Sequence, residues 1–419
     1  MNLRRYTRDV SRFTYRAARD RRAHLSWRDG VAIALLCLLT LAFYRQIALT
    51  NLILSGVDAF TYFYPYRAYA AEVVRSGRLP LWNPYLFLGV PFLANPQAAV
   101  LYPLNLVLCW LPAPKLVAWS VVLHVALAAL FAYLYARVAL CLSSLSAFLG
   151  ACVFSFGGFL SGQVEHVNQL NVSAWFPLLL LLWELRRGAR WPALLGLGTV
   201  VGVGLLAGHA QSSYISLAGL GVYAALPNLL DAWRAFRARM PWKTVLHGYT
   251  ITLAHLGFVC ALGLALAAVQ LVPTLELSRW SIRAGGLSYR QAVAFSLKPL
   301  PRLLRYTFFP PWGDNLTDIF GGGYFTEYLA YVGLLPLVLC VVALFLWFFE
   351  GVFGGSYRLH EVSSDTPAGS PGPRFQLQPG DPDRVCAALR LPRMLVLAGL
   401  GRVQTVTRAA PVLAQVDPG

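Results

Sequence analysis

Apolar residues in this chain gather in long blocks instead of alternating with polar ones. The blocks run over residues 31–52, 98–112, 116–138, 144–162, 170–185, 191–207, 212–230, 247–273 and 328–349. Most approach the ~20 residues that a helix needs to cross a bilayer core, so they predict transmembrane helices. The block 98–112 is shorter and contains Pro103, and it is expected not to cross. Before it lies an amphipathic segment, 53–97, whose Tyr and Trp density suits a surface lying on lipid headgroups. Within that segment a helix is predicted over 65–76, with Tyr66, Tyr69, Ala70 and Val73 on one face.

Composition sharpens the class. The 419 residues are 57% hydrophobic and 13% charged, with mean hydropathy +0.56, where soluble chains carry about 25% charged residues. This predicts an all-α, polytopic integral membrane protein and excludes a soluble enzyme. The net charge of +17 is accounted for by anionic lipids and the positive-inside rule, with no need of nucleic acid. Residues 1–30 carry nine arginines against Asp9, Asp20 and Asp29 and lack a cleavage site. They read as a cytoplasmic head. If 98–112 stays outside, Arg137, the Arg186/Arg187/Arg190 cluster and the Arg234/Arg237/Arg239/Lys243 cluster all fall in the cytoplasm. The loops 163–169 and 208–211, without Lys or Arg, then face outward. About eight spans with the N-terminus inside follow. The expected organisation is a head (1–30), a membrane domain (31–349) with outer loops 53–115 and 274–327, and a low-complexity tail (350–419) expected to be disordered.

Chemistry is sparse. The cysteines (Cys37, Cys109, Cys141, Cys152, Cys260, Cys340 and Cys386) form no C-x-x-C pair and read as fillers of helix interfaces. Nine acids lie in residues 31–349, and in this topology all but Glu184 and Asp231 face outward. His166, Asn168, Asn171, His209 and Gln211 share their side, so the working face is expected outside. Asp58, in SGVDAFTYFYPY, has two readings: a partly desolvated carboxylate suited to general-base work, or a helix N-cap. Glu165 and His166 could share a proton, whereas a metal would need a third ligand that the sequence does not supply. No metal or cofactor is therefore expected. His209 and Gln211 would line the same cavity or merely end two helices. His124 and His255 read as hydrogen-bonding groups inside the bundle. Arg279, Arg283 and Arg290 either hold a phosphate or snorkel, and no phosphate-cradling glycine loop follows a strand.

The run VDAFTYFYPYRAYAAEVVRSGRLPLWNPYLFLGVPFLANPQAAVLYPLNL, with GHAQSSYIS, AAVQLVPTLELSRWSIRAGG and FTEYLAYVGLLPL further on, resembles bacterial YfhO-type membrane proteins, which are similar to the GT-C glycosyltransferases. The resemblance covers about residues 30–349, and past 350 the chain is expected to be a truncated or divergent member. It implies a sugar transferase of the bacterial cytoplasmic membrane. The donor would be a polyprenyl-phosphate-linked sugar, and the acceptor an extracytoplasmic cell-envelope glycan, lipid or protein. Asp58 takes the catalytic carboxylate position. The substrate-binding set would be Arg67, Glu165, His166, His209, Gln211, Arg279, Arg283 and Glu327. The rivals are a transporter or flippase, for which internal repeats are missing, and an inactive scaffold.

Overall fold

The computed structural model describes residues 25–237, 242–281, 284–286, 288–290, 301, 304, 307–308, 329, 331–353 and 413–414. The helices are α1 (Trp27–Phe43), α2 (Arg45–Leu49), α3 (Tyr64–Arg75), α4 (Pro103–Leu108), α5 (Ala113–Leu134), α6 (Ser144–Phe156), α7 (Gly158–Gly162), α8 (Val167–Ser173), α9 (Phe176–Leu185), α10 (Arg190–Leu206), α11 (Ala210–Arg237), α12 (Trp242–Arg279) and α13 (Leu334–Phe353). Two short antiparallel pairs join β2 (Trp82–Asn83) to β3 (Val90–Pro91) and β1 (Ile53–Leu54) to β4 (Leu413–Ala414). The chain forms two compact units. One is Met1–Leu337 with Leu413–Gly419, which contains the candidate site, and the other is Val338–Val412.

The described chain is mostly helical. Three of its helical stretches are long and apolar enough to cross a membrane: Ala113–Ala139, Ser144–Gly162 and Leu246–Arg279. Arg190–Leu206 and Leu334–Leu346 are shorter apolar helices. The first stretch is the axis of its unit, with 67% of its most apolar window buried, against 22% for the other two. Leu145, Leu149, Leu253, Leu264 and Val269 remain exposed. Such a surface needs hydrocarbon around it, as in a membrane protein.

Several expected elements have other boundaries. The helix over 65–76 is present as α3. The block 98–112 contains only a six-residue helix, α4, about 9 Å long at 1.5 Å per residue, which is far too short to cross. The block 31–52 is not one helix. α1 begins earlier, where the Asp29 carboxylate reaches back to accept the Ser26 N–H at 2.7 Å, and the chain breaks at Tyr44. The block 170–185 is split between α8 and α9, and Pro177, in the first turn of α9, has no N–H to continue a helical ladder. Of the head and tail, only 25–30, 350–353 and 413–414 lie within the described residues.

α5 packs its Val117, Val121 and Val125 against Leu54, Phe63, Leu160, Val167 and Leu170. Near its far end, Asp29 is buried and accepts from Tyr133 (2.5 Å), Arg137 (2.6 Å) and Ser144 (2.9 Å). One carboxylate thus ties α1 to α5 and to the start of α6. α10 and α12 meet along a glycine seam. A Cβ on Gly198 would sit 2.6 Å from Leu262, and one on Gly263 2.5 Å from Val201. Small residues here let two backbones approach, as membrane helices commonly do. Gly263→Val should therefore overpack the seam by about 1–3 kcal/mol. A melting temperature in detergent equal to wild type would show that the seam yields freely.

Candidate functional site

Four chain segments converge beside the N-terminal half of α5. The first follows β1, where Asp58 leads into a wide π-type turn, Ala59–Phe63, that runs on into α3. Such turns recur at functional sites. The Asp58 backbone is already helical (φ −67°, ψ −32°) and its side chain makes no capping bond. The cap reading of Asp58 therefore fails: a capping residue has extended backbone and an oxygen bonded to the turn above it. The second segment is the loop between α7 and α8. It sets His166 Nε2 3.5 Å from Asp58 Oδ2 and lays Glu165 over Gly56, where a Cβ would stand 2.8 Å from Glu165 Cδ.

The third segment is the Asn95–Ala99 turn. Asn95 Oδ1 accepts the Gln97 N–H (3.0 Å), and its Nδ2 donates to the Tyr62 hydroxyl (2.9 Å). The fourth is the α10–α11 turn. Gly208 (φ +89°) lies against the Pro96 carbonyl, leaving no room for a side chain, and delivers His209. His209 Nδ1 accepts the Ser212 backbone N–H at 3.1 Å, which in the neutral ring leaves the proton on Nε2. These segments enclose a cavity of about 240 Å³ lined by Asp58, Thr61, Tyr62, Phe63, Gln97, His166, Asn168, Gln169 and His209.

The electrostatics differ from the sequence expectation at one point. Asp58 is half exposed, at 51%, so the desolvation expected of it falls on Glu165 instead. Burial pushes the Glu165 carboxyl up, His166 opposes the shift, and the Asp58 carboxylate adds to it. Behind Asn168 lies Arg67, only 2% exposed. Its guanidinium donates to the Ala98 carbonyl and to Asn168 Oδ1 (2.8 Å), while Asn168 Nδ2 donates to the Gln97 carbonyl (2.6 Å). Burial pulls its pKa down to about 10, with Tyr62 and Tyr102 opposing, so it stays cationic at neutral pH. No carboxylate lies within ion-pair distance of it among the described residues.

A second cavity, about 360 Å³, adjoins the first. Tyr62 of the polar cavity stacks on Tyr66 of the second at 4.0 Å between ring centroids. The second cavity's walls are mainly apolar, with Phe87, Val90, Pro91, Phe92 and Leu277 among them.

Asp58, His166 and His209 thus meet at one cavity, with Glu165 at its edge and Arg67 behind it. Gln211 is exposed and does not line it, and Arg279 is exposed at the end of α12. Arg283 and Glu327 lie outside the described residues. Among the described residues no three His, Cys, Asp or Glu side chains assemble as a metal site. His124 is a bonded interior histidine: Nδ1 donates to Ser120 O (2.6 Å), and Nε2 accepts from Tyr102 OH (2.6 Å). His255 departs from expectation, since neither ring nitrogen has a hydrogen-bond partner among the described residues. It rests edge-on against Trp183 instead, 6.5 Å between centroids. Gln97, Thr61 and Tyr62 escaped the sequence reading. For Gln97 the signal is the polar Asn95-Pro96-Gln97 turn in an otherwise apolar run. No family model matches the chain, and neither a curated protein nor a solved structure matches it.

Proposed function

We propose that the chain is a membrane glycosyltransferase of GT-C type. In this reading it moves a sugar from a polyprenyl-phosphate carrier to an extracytoplasmic acceptor in the bacterial cell envelope. The observation that carries the reading is the polar cavity. A solvent-reachable carboxylate, two histidines and a buried cation with no carboxylate partner among the described residues gather at one place in a chain with few charges. Asp58 takes the proton of an acceptor hydroxyl as that oxygen attacks the anomeric carbon. The carrier phosphate leaves with the bonding electrons, and the positive potential of Arg67, relayed by the Asn168 amide, favours its developing charge. The adjoining apolar cavity suits the start of a lipid chain. The eight-span, N-terminus-inside topology belongs to the same reading.

The direct test incubates membranes containing the protein with radiolabelled polyprenyl-phosphate sugar and acceptor fractions, and follows release of polyprenyl phosphate. Release that depends on the protein is expected. Movement of the intact lipid between leaflets without release would make it a flippase instead. The topology has its own check. Reporter fusions after Arg190 and Lys243 should read cytoplasmic, and a fusion after His209 should read external. A cytoplasmic signal at His209 would put the cavity on the wrong side for this function.

A further inference from the structure

We infer that the hairpin Trp82–Pro91 inserts its tip, Phe87 and Leu88, into the lipid leaflet at the outer end of α12, anchoring the roof of the apolar cavity to the bilayer. This inference rests on the membrane-crossing character of α12 and not on sugar transfer.

The tip is apolar and uncovered. Phe87 is 89% exposed and Leu88 103%, with Leu81, Trp82 and Tyr85 exposed around them. It is also held in place. Phe87 (φ +47°) and Leu88 (φ +64°) adopt a left-handed backbone that bulky residues rarely take unless the surroundings enforce it. The enforcement is visible. Trp82 and Asn83 pair with Pro91 and Val90, Tyr69 donates its hydroxyl to the Trp82 carbonyl, and Gly89 lies against the Trp82 ring. Just beyond, Phe92 is fully buried beneath Tyr66 and Tyr69. A fold that holds two large apolar side chains outward in this way has a use for their exposure.

The depth of the hairpin identifies what it meets. At its base, Gln270 donates to the Leu93 carbonyl (2.7 Å) and Thr274 to the Ala94 carbonyl (2.9 Å). Thr274 precedes Arg279, the last residue of the Leu246–Arg279 stretch, by about 8 Å at 1.5 Å per residue. The hairpin base is therefore level with the last turns of a stretch long and apolar enough to cross the membrane. The hairpin itself carries no charge to oppose insertion: no Asp, Glu, Lys, Arg or His occurs from Leu79 to Pro114, and the exposed Glu276 and Arg279 belong to α12. Trp82 and Tyr85 at the hairpin's flanks are the side chains that favour the headgroup boundary.

The test uses the full chain in lipid nanodiscs holding one copy each, which excludes a second copy as the cover. Leu88→Cys is compared with Arg78→Cys, an exposed position in the same outer loop. Each is labelled with a membrane-impermeant maleimide and read by peptide mass spectrometry. In parallel, the discs contain a phospholipid with a photoreactive acyl chain. The thiol introduced by Leu88→Cys should react about tenfold or more slowly than the one introduced by Arg78→Cys, as expected for a group below the headgroups. The peptide spanning the hairpin should carry lipid adducts. Equal labelling rates would overturn the inference. Protection without a lipid adduct would also overturn it, by showing that the chain covers its own tip.

Discussion

Asp58→Asn is expected to lower sugar transfer by about 10²–10⁴-fold, the usual loss when a general base is removed, while expression and melting temperature stay near wild type. The two halves of this expectation have separate causes. Asparagine keeps the size of the side chain and an oxygen toward His166, but it cannot accept the acceptor's proton. Stability is spared because Asp58 caps no helix and is half exposed. Its nearest ionisable partner among the described residues is His166 at 3.5 Å, an interaction worth no more than an exposed ion pair, about 0–1 kcal/mol. Glu165→Gln is the companion variant. Glu165 is the more buried carboxyl and is held toward its neutral form, so amidation there should leave transfer within about tenfold of wild type, well short of a base's loss. Transfer at full rate in Asp58→Asn, with loss in Glu165→Gln, would exchange the roles of the two carboxyls.

Much of this site was legible because polar residues are scarce in an apolar chain. Each one has to be accommodated somewhere, and a few loops between the apolar blocks hold most of them. That logic brought out Asp58, His166 and His209, and length together with Pro103 kept 98–112 from being read as a span. Two kinds of information were missing from one-dimensional pattern. Depth is the first. Asp58 and Glu165 look alike in sequence, and only packing over Gly56 decides which is desolvated. Arg67 reads only as a substrate-binding candidate within the 65–76 helix and proves to be buried. Long-range partnership is the second. Asp29 was counted with the acids of a cytoplasmic head, yet it bonds Arg137 and Ser144 more than a hundred residues away. The Gly198 and Gly263 seam is likewise invisible until α10 and α12 are set side by side. Helix boundaries shifted wherever a local device intervened, Asp29 at the start of α1 and Pro177 at the start of α9.

Arg67→Met is expected to cut transfer by about 10²-fold or more, the scale seen when a single group stabilising a developing anion is lost, with a smaller effect on folding. Removing the guanidinium leaves the Ala98 carbonyl and Asn168 Oδ1 without their donor, at a cost of about 1–3 kcal/mol each. Against that, an apolar side chain of similar length no longer has to bury a charge that has no carboxylate partner among the described residues, and such relief is often comparable in size. The protein should therefore fold with a modestly lowered melting temperature. Function has no such compensation, because the cavity loses the fixed positive charge behind its Asn168 wall. A purely structural Arg67 would also predict some loss of activity, so Asn168→Asp separates the cases. An aspartate there pairs with the guanidinium and cancels its field toward the cavity, while giving up the Nδ2 bond to the Gln97 carbonyl. If the charge serves the leaving phosphate, Asn168→Asp should stay folded and lose transfer as Arg67→Met does. If Arg67 only braces the Asn95–Ala99 turn, Asn168→Asp should keep its transfer rate, and the phosphate-stabilising role would fall.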